Sequence, residues 1–164
     1  MAQEWTIESA LVGKAAEALV AAELMRRGVV VAFPAYDRGI DLLAYRADRY
    51  DRPVGLIPVQ VKCRSGYGYN FQKSWFNVRG IVLVQVWNVS TTPECYVFAS
   101  LAEVELALGE HAKSDSWLKK GGYSATAPSK SDLALMEPHR NKWERILRQL
   151  SMVVTKVALT PAPK

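Results

Sequence analysis

The sequence predicts a mixed α/β (α+β) fold, with a mixed sheet of about five strands flanked by helices. Three observations carry that expectation. A long alanine-rich stretch opens the chain, five short β-branched or apolar runs follow, and an amphipathic stretch lies near the end. The 164 residues suit one domain spanning 1–158, since domains commonly hold roughly 100–150 residues. Residues 159–164, with Pro161 and Pro163, are expected to be a disordered tail.

Residues 7–27 read as one helix. Ala15, Ala16, Ala18, Leu19, Ala21, Ala22 and Leu24 are strong helix formers, and Gly28 supplies a stop after Arg26 and Arg27. Residues 29–33 are short and β-branched, giving a first strand that Pro34 ends. Residues 39–45 form a second strand and 54–64 a third, joined by the polar connection 46–53. The glycine- and aromatic-rich residues 65–71 read as a loop. Residues 81–87 are nearly all apolar, as expected for a central strand covered on both faces. Residues 95–99 are a fifth strand. Ser100 and Glu103 then make a capping box that opens a helix through Leu108. Residues 110–131 are irregular, with a turn at Gly121 and Gly122. The last helix, 139–150, carries Trp143, Ile146, Leu147 and Leu150 on one stripe.

Bulk properties remove several function classes. An apolar fraction of 49% excludes a disordered chain. No apolar run approaches the roughly 20 residues that cross a bilayer, so no membrane role is expected. The first residues lack a basic segment followed by an apolar block, so no secretory signal is expected. With two cysteines and two histidines, neither a disulfide scaffold nor a histidine-rich metal site is indicated. A reducing cytoplasm is the simplest setting. The formal charge of +5 favours an anionic partner only mildly, because the excess is spread along the chain.

Four polar residues sit where apolar ones are expected. Glu17 falls outside the helix arc that gathers Glu8, Glu23, Arg26 and Arg27, and lies among Gly13, Val20, Ala21 and Leu24. Asp41 interrupts an apolar strand, with Ile40, Leu42 and Ala44 on the other face. It needs compensation, by an arginine such as Arg38 or by a metal. Gln60 and Lys62 share one strand face while Val59, Val61 and Cys63 occupy the other. A hairpin of the second and third strands would set Asp41 beside Gln60 and Lys62, and the first helix, packing there, would add Glu17. Mg²⁺ (or Mn²⁺) takes oxygen ligands and keeps several waters. Asp41, the Gln60 side-chain oxygen and the Val61 carbonyl can supply them directly, with Glu17 acting through water. Lys62 would orient and help deprotonate the water that attacks a phosphodiester in line.

Gly13 and Glu17, then Gly39-Ile40-Asp41, then Gln60-Val61-Lys62 resemble the PD-(D/E)XK nuclease superfamily, above all its Holliday-junction-resolvase-like and Mrr-like branches. The resemblance covers residues 10–65. It implies a restriction-endonuclease-like fold and a metal-dependent endonuclease acting on DNA. Carried over, Asp41 is the metal ligand, Gln60 the second ligand, Lys62 the catalytic lysine and Glu17 the helix carboxylate of the metal shell. Most members carry an acidic residue where this chain has Gln60, although Mrr-like members with glutamine are similar to it. With Glu17, Asp41 and Lys62 the site has one net negative charge and should hold Mg²⁺ more weakly than an acidic version. A catalytically degenerate nucleic-acid-binding module on the same fold, or an interaction subunit of a defence or repair system, remain as alternatives.

The stretch after Lys62 offers DNA contacts: Arg64, Tyr67, Tyr69 and Lys73 are placed to touch phosphates or stack on bases. Arg140, Lys142, Arg145 and Arg148 line the last helix opposite Trp143 and Ile146, as a solvated or a phosphate-contacting face. Trp75, Trp87, Trp117 and Trp143 are expected in the core. Lys119-Lys120-Gly121-Gly122 lacks Walker spacing. A homodimer would suit cleavage of both strands.

Overall fold

The computed structural model describes residues 2–36 and 38–158. Its centre is a five-stranded mixed sheet in the order β1-β2-β3-β5-β6. Helix α1 (Ala2–Met25) precedes β1 (Val30–Ala32), β2 (Leu42–Ala47) and β3 (Pro53–Cys63). Gly28, at φ 75°, turns the chain out of the helix, and its N–H donates to the Met25 carbonyl. Strands β1, β2 and β3 pair antiparallel, β3 pairs parallel with β5 (Val82–Trp87), and β5 pairs antiparallel with β6 (Glu94–Phe98). The apolar run of β5 is buried at all six positions, as a strand covered on both faces requires.

Each face has its own core. On one, Ala16, Val20, Ala21 and Leu24 of α1 meet Val59 and Val61 of β3, Val84 and Val86 of β5, and Ile146 and Leu150 of α5 (Glu144–Ala158). On the other, Leu83, Trp87, Tyr96 and Phe98 of the sheet lie under a layer of mixed aromatic and aliphatic side chains. That layer holds β4 (Tyr69–Gln72), α2 (Leu101–Leu108), α3 (Asp115–Lys120), β7 (Gly122–Ala125) and α4 (Lys130–Met136). Trp87, Trp117 and Trp143 are fully or nearly fully buried, each removing roughly 150–250 Å² from water.

Several sequence expectations are corrected here. Residues 69–72, expected within and just after a loop, form β4, which pairs with β7 from Tyr69 opposite Ala125 to Gln72 opposite Gly122. The supposedly irregular stretch after residue 110 supplies α3, β7 and the start of α4. The Ser100 hydroxyl caps α2 by accepting from the Glu103 N–H, but the Glu103 carboxylate accepts from the Ala99 N–H, so the box is not reciprocal. Helix α5 starts five residues later than expected, because Asn141 adopts φ 54° and a 3₁₀ turn occupies Glu137–His139. Tail residues 159–164 lie outside the described residues. Among the described residues, no helix is long and apolar enough to cross a membrane.

Candidate functional site

Strand β2 begins one residue beyond Asp41. The Asp41 N–H donates to the Val59 carbonyl at 3.0 Å, and its Oδ2 accepts from the Val61 N–H at 2.6 Å. The last register pair of the two strands is Leu42 with Val59. Past it, β3 has no β2 backbone partner, and the Asp41 carboxylate takes the place of one. A residue's N–H and C=O point to the same side of a strand, so the Val61 carbonyl faces the same gap. Gly39, at φ 82°, makes the turn into Asp41, a conformation that an L side chain strains to adopt.

Gln60 is 3% exposed, and its Oε1 has no hydrogen-bond partner. A buried polar atom left unpaired is uncommon and costs roughly 1–3 kcal/mol. A Cβ placed at Gly39 would stand 3.5 Å from the Gln60 Nε2, so this side chain lies against the segment leading to Asp41. Lys62 shares the Gln60 face and rests its ammonium over the Trp75 ring, 5.2 Å from the centroid. Trp75 was expected only in the core. Trp75 lies thirteen positions after Lys62, and nothing in that spacing announces the contact.

Glu17 arrives differently from the expectation. Helix α1 packs on the Val59 and Val61 face, opposite Gln60 and Lys62. Its carboxylate is largely enclosed and accepts from Lys14 Nζ at 2.7 Å. It still belongs to the same neighbourhood. Burial pushes the Cys63 thiol pKa up, the Lys62 charge lowers it, and Glu17 and Asp41 both raise it. Asp41, Gln60, Lys62 and the Val61 carbonyl therefore gather at one end of β3, with Glu17 approaching from beneath.

The Asp41 carboxylate, the Val61 carbonyl and the buried Gln60 amide oxygen, which nothing else satisfies, are oxygen donors of the kind a hard cation takes. Among the described residues, no three His, Cys, Asp or Glu side chains come together as a metal cluster.

The four expected DNA contacts are corrected in part. Tyr69 is fully buried in the aromatic layer and has no face left for a base. Arg64 donates to the Tyr69 carbonyl at 3.2 Å and to Ser124 Oγ at 3.1 Å, pinning β4 and β7 to the end of β3. Gly68 permits this, because a Cβ there would meet Arg64 Cδ and the Ala125 carbonyl at 2.9 Å. Lys73 lies over Trp117 at 5.1 Å. Only Tyr67 is well exposed, and its hydroxyl donates to Glu94. On the last helix, Arg145 is turned inward, to Glu103 at 3.2 Å and to His139 Nδ1 at 2.7 Å.

No known protein-family model matches the chain, and no curated relative matches it in sequence. Among solved structures it is similar to a bacterial homing endonuclease, I-Ssp6803I, at TM-score 0.52 and 18% identity, over 92% of this chain and 98% of that chain. At that identity the likeness is one of fold: the chain shares the mixed-sheet architecture of a nuclease.

Proposed function

We propose that this protein is a metal-dependent endonuclease that hydrolyses DNA phosphodiester bonds, with a PD-(D/E)XK-type site. The observation that carries the reading is the buried, unpartnered Gln60 Oε1 beside the Asp41 carboxylate, with Lys62 on the same strand face. The shared fold with a homing endonuclease supports it.

Asp41, Gln60 and the Val61 carbonyl would hold Mg²⁺ or Mn²⁺, with Glu17 reaching it through water. When bound, the ion supplies Lewis-acid stabilisation of the charge that builds on the phosphate and the leaving oxygen. The chain's own residues do the rest. The Val61 N–H fixes one Asp41 oxygen, which orients the other. The ammonium of Lys62 leaves Trp75 to orient the attacking water and offset charge on the phosphate. Enclosure of Gln60 keeps bulk water from competing for its oxygen.

A second reading has two observations in its favour. Lys62 is parked on Trp75 and the site lacks a third carboxylate, as in a binding module that has lost catalysis. Incubation of supercoiled, linear and four-way-junction DNA with Mg²⁺ and then Mn²⁺ separates the two. Cleavage by wild type that is lost in both Asp41→Asn and Lys62→Ala supports the nuclease. Binding without cleavage sinks it in favour of the binding module.

A further inference from the structure

The geometry points to the β2–β3 ribbon as the element that enters the major groove of duplex DNA, within one helical turn of the bond being cut. This deepens the DNA-cleaving reading above and rests on it. The residues first expected to touch DNA are spent on packing: Tyr69 is buried and Arg64 ties β4 to β7. The ribbon is differently placed. Strand β1 pairs with β2 only as far as Val30 opposite Tyr45, and β5 starts its pairing with β3 at Val82 opposite Val59. Residues 46–55 therefore project as two strands with no third strand on either side.

The tip is built to present charge and one aromatic ring. Asp48 Oδ1 accepts from the Tyr50 and Arg52 N–H groups, and its other oxygen takes the Arg52 guanidinium. That fixes the turn and uses Arg52 within it. Arg46 and Arg49 make no ion pair among the described residues, and both are exposed. Tyr50, 60% exposed, has Arg49 over its ring at 4.7 Å and Arg52 at 5.1 Å. Arginine and an exposed tyrosine are donors and a stacking face for phosphates and bases. B-DNA's major groove, about 12 Å wide, admits a two-stranded ribbon, whereas the deep, narrow groove of duplex RNA does not. From Asp41 to Ala47 is six residues, or about 20 Å at ~3.3 Å per residue. That is less than the ~34 Å of one DNA turn.

The test is fluorescence anisotropy with labelled duplex DNA and duplex RNA of one sequence, in EDTA and over a salt series, followed by hydroxyl-radical footprinting on the DNA. The variants are Arg46→Ala/Arg49→Ala and Tyr50→Ala, with melting temperature as a check that the exposed changes leave the fold intact. The double variant is expected to bind DNA at least tenfold more weakly, with a log–log salt slope shallower by about 1.8, at ~0.9 per phosphate contact. The wild-type footprint should extend to one side of the cut by less than a turn, and the variant should lose that extension. Wild type that binds and cuts DNA while the double variant matches it in affinity, slope and footprint overturns the ribbon alone. An equal loss on duplex RNA overturns the groove assignment. Wild type that neither binds nor cuts DNA overturns the nuclease reading, and the ribbon inference falls with it.

Discussion

Replacing Gln60 with glutamate turns the charge state of the site into a measurable stability. Asp41 stands one residue past the Leu42–Val59 pair, which sets it beside Gln60, with side chains about 5–6 Å apart by the spacing of opposed residues. Two carboxylates at that separation repel by about 3 kcal/mol at an effective dielectric near 20. The new glutamate would be almost wholly enclosed, as Gln60 is, so burial adds to the penalty. Burial and the neighbouring Asp41 charge raise its pKa, which means that the folded state holds the proton more tightly than the unfolded one. The penalty is therefore full at alkaline pH and shrinks as pH falls through the raised pKa. A divalent cation reverses the balance, because it adds stability in proportion to its affinity and the second carboxylate strengthens that affinity. Urea unfolding of Gln60→Glu and wild type, in EDTA and then in millimolar Mg²⁺, reads both effects. The variant should be about 3 kcal/mol less stable in EDTA, and Mg²⁺ should close most of the gap. Equal stability in EDTA would show that position 60 does not face the Asp41 charge. A gap that Mg²⁺ leaves unchanged would show that the pair holds no cation.

Three other perturbations have defined outcomes. Asp41→Asn keeps an acceptor for the Val61 N–H and should cost less than Asp41→Ala, which loses about 1–3 kcal/mol by orphaning that donor. Both should abolish cleavage, and equal destabilisation in urea titrations would contradict the structural role of the bond. His139, stacked on Phe98 and bonded through Nδ1 to Arg145, has its pKa lowered to about 4, chiefly by burial. The unfolded chain then binds the extra proton below its ordinary pKa near 6.5, so stability falls with pH between about 6.5 and 4, by about 2 kcal/mol at pH 5. A His139→Gln variant should flatten that part of the pH–stability curve; an unaltered slope in both proteins would refute it. Arg64→Ala removes the link from β3 to the Tyr69 carbonyl and Ser124. It should cost about 1–3 kcal/mol and raise hydrogen exchange in β4 and β7 selectively, whereas uniform exchange would place the link elsewhere.

The parts of the fold legible in the sequence were those governed by local periodicity. Val29 to Phe33, Ile57 to Lys62 and Ile81 to Trp87 carry β-branched or alternating patterns that a strand needs, and each holds a strand of the sheet. Strand β4 was not legible, because Gly66 and Gly68 mask the alternation of Tyr69 and Phe71, and its partner lies 56 residues away at Ala125. Tyr69 was misread for the same reason: without the pairing there is no signal that its ring is inside. Alternation placed Gln60 and Lys62 on one face correctly. Helical periodicity showed that Glu17 turns towards the protein, but which face of a sheet a helix covers is a property of the chain crossing, which no single segment encodes.

The unequal covering of the two sheet faces explains why the polar residues lie where they do. Aliphatic side chains from α1 and α5 close one face, and the largely enclosed Glu17 carboxylate on α1 is paired with Lys14. The other face is roofed by aromatic and aliphatic side chains over β5 and β6, yet Leu56 on β3 is 54% exposed and Val30 on β1 is 37% exposed. Gln60 stands between these regimes, enclosed on the roofed side and next to the open half of the sheet. A duplex is too large to enter a closed core, so a residue that acts on it must border an uncovered surface. A cation's ligands must also be shielded enough to hold it against water. The edge of the roof meets both demands at once, and the proposed site of Asp41, Gln60 and Lys62 lies there.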